Sequence, residues 1–103
     1  MKYSLVLQFV GQEPISYDLL IEIEDALEKY LHGLAIVDGH DMGSDEANIF
    51  IFTDDPAAIF ERSKFIVKSA GLLPVLSSAY RLVNGEQYFR LWPVDSSEAF
   101  IVT

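Results

Sequence analysis

Ile49-Phe50-Ile51-Phe52-Thr53-Asp54-Asp55-Pro56 contains a strand, its end and the start of a helix. β-Branched and aromatic side chains over 49–53 favour extended backbone. Asp55 followed by Pro56 reads as an N-cap with proline at the first helical position, where the missing N–H costs nothing. The helix predicted over about 56–70 turns Ile59, Phe60, Ser63, Ile66 or Val67, and Ala70 inward, and Gly71 closes it. Residues 72–76 are expected to be an extended connection held by Pro74.

Working back from Ile49, residues 34–37 predict a strand that runs into the polar segment 38–48, with Gly43-Ser44-Asp45-Glu46 near a hairpin tip. Gly39 would supply a bulge and Gly43 a positive φ. A helix is predicted over 17–31: Ser16 is its N-cap and Gly33 its stop, and Leu19, Leu20, Ile23, Leu27, Tyr30 and Leu31 make one apolar stripe. Residues 3–10 alternate, with Tyr3, Leu5, Leu7 and Phe9 on one face and Ser4, Val6, Gln8 and Val10 on the other, and Gly11-Gln12-Glu13-Pro14 ends the strand. Downstream, 78–83 and 86–92 flank Asn84-Gly85, a strong two-residue hairpin signal. The order β-α-β-β-α-β-β predicts an α+β, ferredoxin-like antiparallel sheet with two helices on one face. One domain is expected over 1–103, with its core at about 1–93 and an acidic tail at 94–103 that returns as an edge segment or stays mobile.

Both sheet faces read as partly apolar: Ile49/Ile51 and Phe50/Phe52 on one strand, Tyr88/Trp92 and Phe89/Leu91 on another. Two helices cover only one face, so a homodimer through the open sheet face is expected, with the chain's own C-terminal segment as the alternative cover.

Charge narrows the function. The chain carries a formal charge of −9, with 16 Asp+Glu against 7 Lys+Arg. Phosphate backbones and anionic lipid would repel it, so neither nucleic acid nor a membrane surface is an expected partner. No apolar run reaches the roughly 20 residues of a membrane span. With no cysteine, disulfides, thiolate nucleophiles and Cys-held metals are ruled out. The N-terminal apolar stretch lacks a small-x-small cleavage site and reads as a strand, so a cytoplasmic setting is expected.

Two polar groups stand out. Residues 38–48 bring together Asp38, His40, Asp41, Asp45, Glu46 and Asn48, and 30–61 contains no Lys or Arg. In extended backbone Asp38 and His40 would share a face, which suits a carboxylate orienting an imidazole or two ligands to a hard cation. A solvated hairpin with local turn bonds, or a partner contact, accounts for the same residues. No ligand spacing matches a known metal loop, so no metal and no cofactor are assigned. The second group is Asp18, Glu22, Asp25 and Glu28 on the first helix, which reads as a solvated face or as a docking surface for a basic protein. His32 at that helix's end reads as a cap, and Arg81 and Arg90 as a strand pair able to bind an anion, stack on a ring or pair with acids.

Asp38-Gly39-His40-Asp41-Met42-Gly43-Ser44-Asp45-Glu46-Ala47-Asn48-Ile49-Phe50-Ile51, followed by Thr53-Asp54-Asp55-Pro56, Ala79-Tyr80-Arg81 and Leu91-Trp92-Pro93, resembles a family of small uncharacterised bacterial proteins. Its pattern is a D-G-H-x-x-G-x-x-E-x-N-I-F-I hairpin leading into a Thr-Asp-x-Pro helix start. The resemblance spans about residues 1–93. It implies a ferredoxin-like domain in a cytoplasmic bacterial setting and carries no known activity. It also makes Gly39, His40, Gly43, Glu46 and Asn48 better functional candidates.

The reading expected first is a non-enzymatic acidic interaction module, in its sharpest form an immunity or inhibitor protein that mimics phosphate toward a basic target. The alternative is a small-ligand- or metal-binding or enzymatic domain, with His40 as base or ligand, Asp38 orienting it, and Glu46 and Asn48 holding substrate. A third is a small-molecule sensor of the ACT kind using the turn at 11–16.

Overall fold

The computed structural model describes residues 1–11, 15–43 and 45–102. The predicted turn at 12–14, with most of the sensor-like loop, and Ser44 of the hairpin tip lie outside the described residues. The elements are β1 (Tyr3–Val10), α1 (Tyr17–Tyr30), β2 (Ile36–Met42), β3 (Glu46–Thr53), α2 (Pro56–Ser69), a short 3-10 turn (Leu73–Val75), β4 (Leu76–Leu82) and β5 (Phe89–Trp92). The five strands form one antiparallel sheet ordered β2-β3-β1-β4-β5, the ferredoxin-like arrangement with an added edge strand.

Helix ends follow the local chemistry of the sequence. Ser16 Oγ accepts from Leu19 N at 3.1 Å and Asp55 Oδ1 from Ala58 N at 3.2 Å. Beyond the helices, Gly33 at φ +82° and Gly71 at φ +76° take the left-handed conformation that a Cβ disfavours. Between helices and sheet lies an apolar core. Leu5, Leu7 and Phe9 of central β1 stand in register with Ile51, Ile49 and Ala47 of β3. Leu20, Ile23 and Leu27 from α1 with its C-cap Leu31, and Ile59, Phe60 and Val67 from α2, pack on them. Each fully buried side chain of this kind contributes about 1.5–3 kcal/mol of hydrophobic stabilisation.

Three local expectations are corrected. Residues 73–75 form a 3-10 turn rather than an extended link, because the fixed φ of Pro74 suits either and Val75 N reaches Leu72 O at 3.1 Å. Gly43 is not among the glycines with positive φ; its N–H donates to Glu46 O at 2.8 Å and closes the β2–β3 turn that way. Asn84-Gly85 does not form the two-residue turn, which needs positive φ at both positions. Instead Gly85 N donates to Leu82 O at 2.9 Å, and the β4–β5 ladder starts at Tyr80 opposite Phe89. Arg81 accounts for the wider loop: its guanidinium donates to Leu82 O, Val83 O and Gly85 O at 3.1, 2.8 and 3.2 Å and gathers these carbonyls around itself.

The second face of the sheet is also covered over β1, where Ser4, Val6 and Gln8 are buried. Part of that cover is the C-terminal segment, which folds back over the sheet. Gln8 Nε2 donates to Ile101 O at 2.8 Å, Arg90 to Glu98 O at 2.9 Å, and the Phe100 ring lies 5.2 Å from that of Tyr88. The chain's own tail thus takes a share of the face for which a partner sheet was expected. Toward β2 the same face stays open, with Ile36 exposed and Phe50 and Phe52 half-buried.

Candidate functional site

The β2–β3 hairpin decides whether the candidate residues meet. β2 shifts register between Val37 and Gly39, so Asp38 is the extra residue of a β-bulge. The shift sets His40 opposite Ile49, on the side of the sheet that faces α1. There its Nδ1 lies 3.1 and 3.2 Å from the two carboxylate oxygens of Glu24. The Tyr17 ring stands edge-on to the imidazole at 5.9 Å. The residue that orients His40 is therefore Glu24 and not Asp38, which is exposed. A carboxylate on Nδ1 holds a neutral imidazole as the Nδ1–H tautomer and leaves Nε2 as the acceptor, the arrangement a general base uses. Glu24 was readable in part: four residues after Leu20 and three before Leu27, it flanks the apolar stripe rather than lying opposite it.

Glu46 and Asn48 are on the other face. Asn48 is buried and pairs across β1 with Gln8, whose Nε2 donates to Asn48 Oδ1 at 3.2 Å. Asn48 Nδ2 in turn donates to Glu46 Oε2 at 2.8 Å. With the Gln8–Ile101 bond, these side chains form a ladder that ties β3, β1 and the tail together. Among the described residues no buried side-chain nitrogen or oxygen lacks a partner, so the ladder is closed. Asp41 stands opposite Asn48 in register and is exposed, as is Asp45. The hairpin candidates are thus divided between two faces: His40 with Glu24 on one, Asp41, Glu46 and Asn48 on the other. Among the described residues no three His, Asp or Glu converge on a point where a cation would sit.

The acids of α1 have the placement the sequence predicts. Asp18, Glu22, Asp25 and Glu28 are all exposed, and among the described residues none of them is in an ion pair. Asp18 and Glu22 are four residues apart, as are Glu24 and Glu28, a like-charge spacing that costs an isolated helix about 0.2–0.5 kcal/mol per pair. Asp25 and Glu28, with Lys29 and His32, line an open depression of about 530 Å³. Among the described residues Arg81 and Arg90 are not paired with acids. Arg81 holds backbone carbonyls, and Arg90 binds Trp92 O and Glu98 O and lies 5.6 Å from the centre of the Phe100 ring.

Among the described residues no helix is long and apolar enough to cross a membrane. No protein family, no curated protein and no solved structure matches the chain.

Proposed function

We propose that this chain is a non-enzymatic protein-interaction module whose α1 face docks a basic protein surface. The observation that carries the reading is the exposed row of Asp18, Glu22, Asp25 and Glu28, in no ion pair among the described residues. Like charges at helical spacing work against the helix that bears them, and a cationic partner turns that cost into attraction. The hairpin lends less support to catalysis, since its polar residues lie on opposite sides of the sheet and Glu46 and Asn48 are bound into a structural ladder. In its sharper form the module is an inhibitor, the carboxylate row standing in for the phosphates that a basic target recognises.

The test is affinity capture from the native lysate with wild type and with Glu22→Lys/Asp25→Lys, at low and at high salt. A basic protein held by wild type at low salt, released by high salt and not held by the variant is the expected result. Capture indifferent to both the salt and the reversal would overturn the reading.

A further inference from the structure

Charge on the helix layer is segregated. The exposed side of α1 is acidic, whereas α2 exposes Arg62 and Lys68. Lys64, also on α2, is occupied: its Nζ lies 3.2 Å from Glu61 and 4.9 Å from the centre of the Trp92 ring. Among the described residues Arg62 and Lys68 form no ion pair, so the acids of α1 and these cations do not neutralise each other within one chain.

Where the helices adjoin, two aromatic rings stand in solvent. Tyr30 of α1, 43% exposed, stacks on Phe65 of α2, 59% exposed, with ring centres 5.9 Å apart and planes at 27°. Arg62 and Lys68 are three residues before and three after Phe65, so they flank it on the same side of α2. A central aromatic pair with an arginine beside it and charged residues around it is the composition of an interface hot spot and its rim.

A surface acidic on one half and basic on the other, with an apolar seam between, is complementary to itself after a half-turn. We infer that the helix layer is a self-association face: two copies of the chain pack about a two-fold axis near Tyr30 and Phe65, each α1 against the α2 of the other copy. This rests on the reading of α1 as a docking face and adds that, where no basic target is bound, α1 meets the basic surface of α2 on a second copy. The charge of −9 on each copy opposes association. At physiological salt, however, repulsion fades beyond a Debye length of about 8 Å, while charges apposed across the seam are closer than that.

Sedimentation velocity over a concentration series tests it, using wild type, Glu22→Lys/Asp25→Lys, Arg62→Glu/Lys68→Glu and Phe65→Ala. All the substituted side chains are exposed, and circular dichroism checks that each variant is folded. Wild type is expected to dimerise, each double reversal to raise the dimer dissociation constant about a hundredfold, and Phe65→Ala to raise it about tenfold. Mixing the two reversed proteins should restore a one-to-one heterodimer, because each then offers what the other lacks. A monomeric wild type, reversals that dimerise as well as wild type, or a mixture that stays monomeric would each overturn the inference. If wild type is monomeric here yet the α1 reversal still abolishes capture of a basic protein, self-association fails and docking stands. If the α1 reversal changes neither, both fail.

Discussion

Over the central strand β1 the two faces of the sheet are buried to a similar degree, by unlike covers. On one face Leu5, Leu7, Phe9, Ile49 and Ile51 meet two capped helices, and the contact is mainly hydrocarbon, with Ser63 and the His40–Glu24 pair as polar members. On the other, Ser4, Val6, Gln8 and Asn48 are equally hidden, but part of their cover is a tail without regular secondary structure. That tail is held through its backbone carbonyls and the Phe100 ring, which meets Tyr88 and Arg90, while Val94 and Ile101 stand 81% and 62% exposed. A helix brings its own hydrogen bonds and a whole stripe of apolar side chains to the sheet, whereas the tail brings little more than acceptors for Gln8 and Arg90. The contrast assigns most of the folding energy to the helix side and makes the tail side the one whose cover is easily lost.

The largest expected effect is therefore on the helix side. Leu27 is fully buried in the core, and Leu27→Ala should cost about 3 kcal/mol of unfolding free energy through lost transfer energy and a residual cavity. Chemical denaturation measures it, and a loss below about 1 kcal/mol would show that the helices are not the main cover. On the tail side Asn48→Ala should cost less, about 2 kcal/mol, because Gln8 and Glu46 each lose a buried hydrogen-bond partner. It should also loosen the tail, read as faster protease cleavage after 93 under native conditions. If Asn48→Ala proved as costly as Leu27→Ala, the two faces would be equal contributors and the contrast would fail.

How much of this was readable in advance depends on whether a feature repeats. The caps at Ser16 and Asp55, the stops at Gly33 and Gly71 and the alternation of β1 all follow from local rules, and the structure agrees with them. The exposed acids of α1 were legible as the complement of its apolar stripe. Tyr30 was not: counted among the inward residues, it sits instead at the stripe's margin, beside a phenylalanine on another helix. The turn at Asn84-Gly85 fails for a different reason, since Arg81, which does not belong to the turn motif, binds the carbonyls that a tight turn would direct elsewhere. The tail as cover of its own sheet was an alternative to a partner sheet and not the first reading, because hydrogen bonds to backbone carbonyls are indifferent to the residue that supplies them and leave no pattern.

The pairing of His40 is the sharpest case, and the smallest in energy. Counting by twos along a strand puts Asp38 and His40 on one face, and a single bulged residue breaks that count. The imidazole turns to α1 and Glu24, in a pair whose side chains keep 27% and 12% of their exposure. Partly exposed pairs of this kind contribute less than about 1 kcal/mol, so Glu24→Ala should barely move stability. The informative readout is the ring. Nitrogen chemical shifts of neutral His40 should report the Nδ1–H tautomer in wild type, shift toward the mixture of a free imidazole in Glu24→Ala, and stay in place in Asp38→Asn. Were Asp38→Asn to move the tautomer and Glu24→Ala to leave it, the bulge would not govern which way His40 faces, and the division of the hairpin between the two faces of the sheet would go with it.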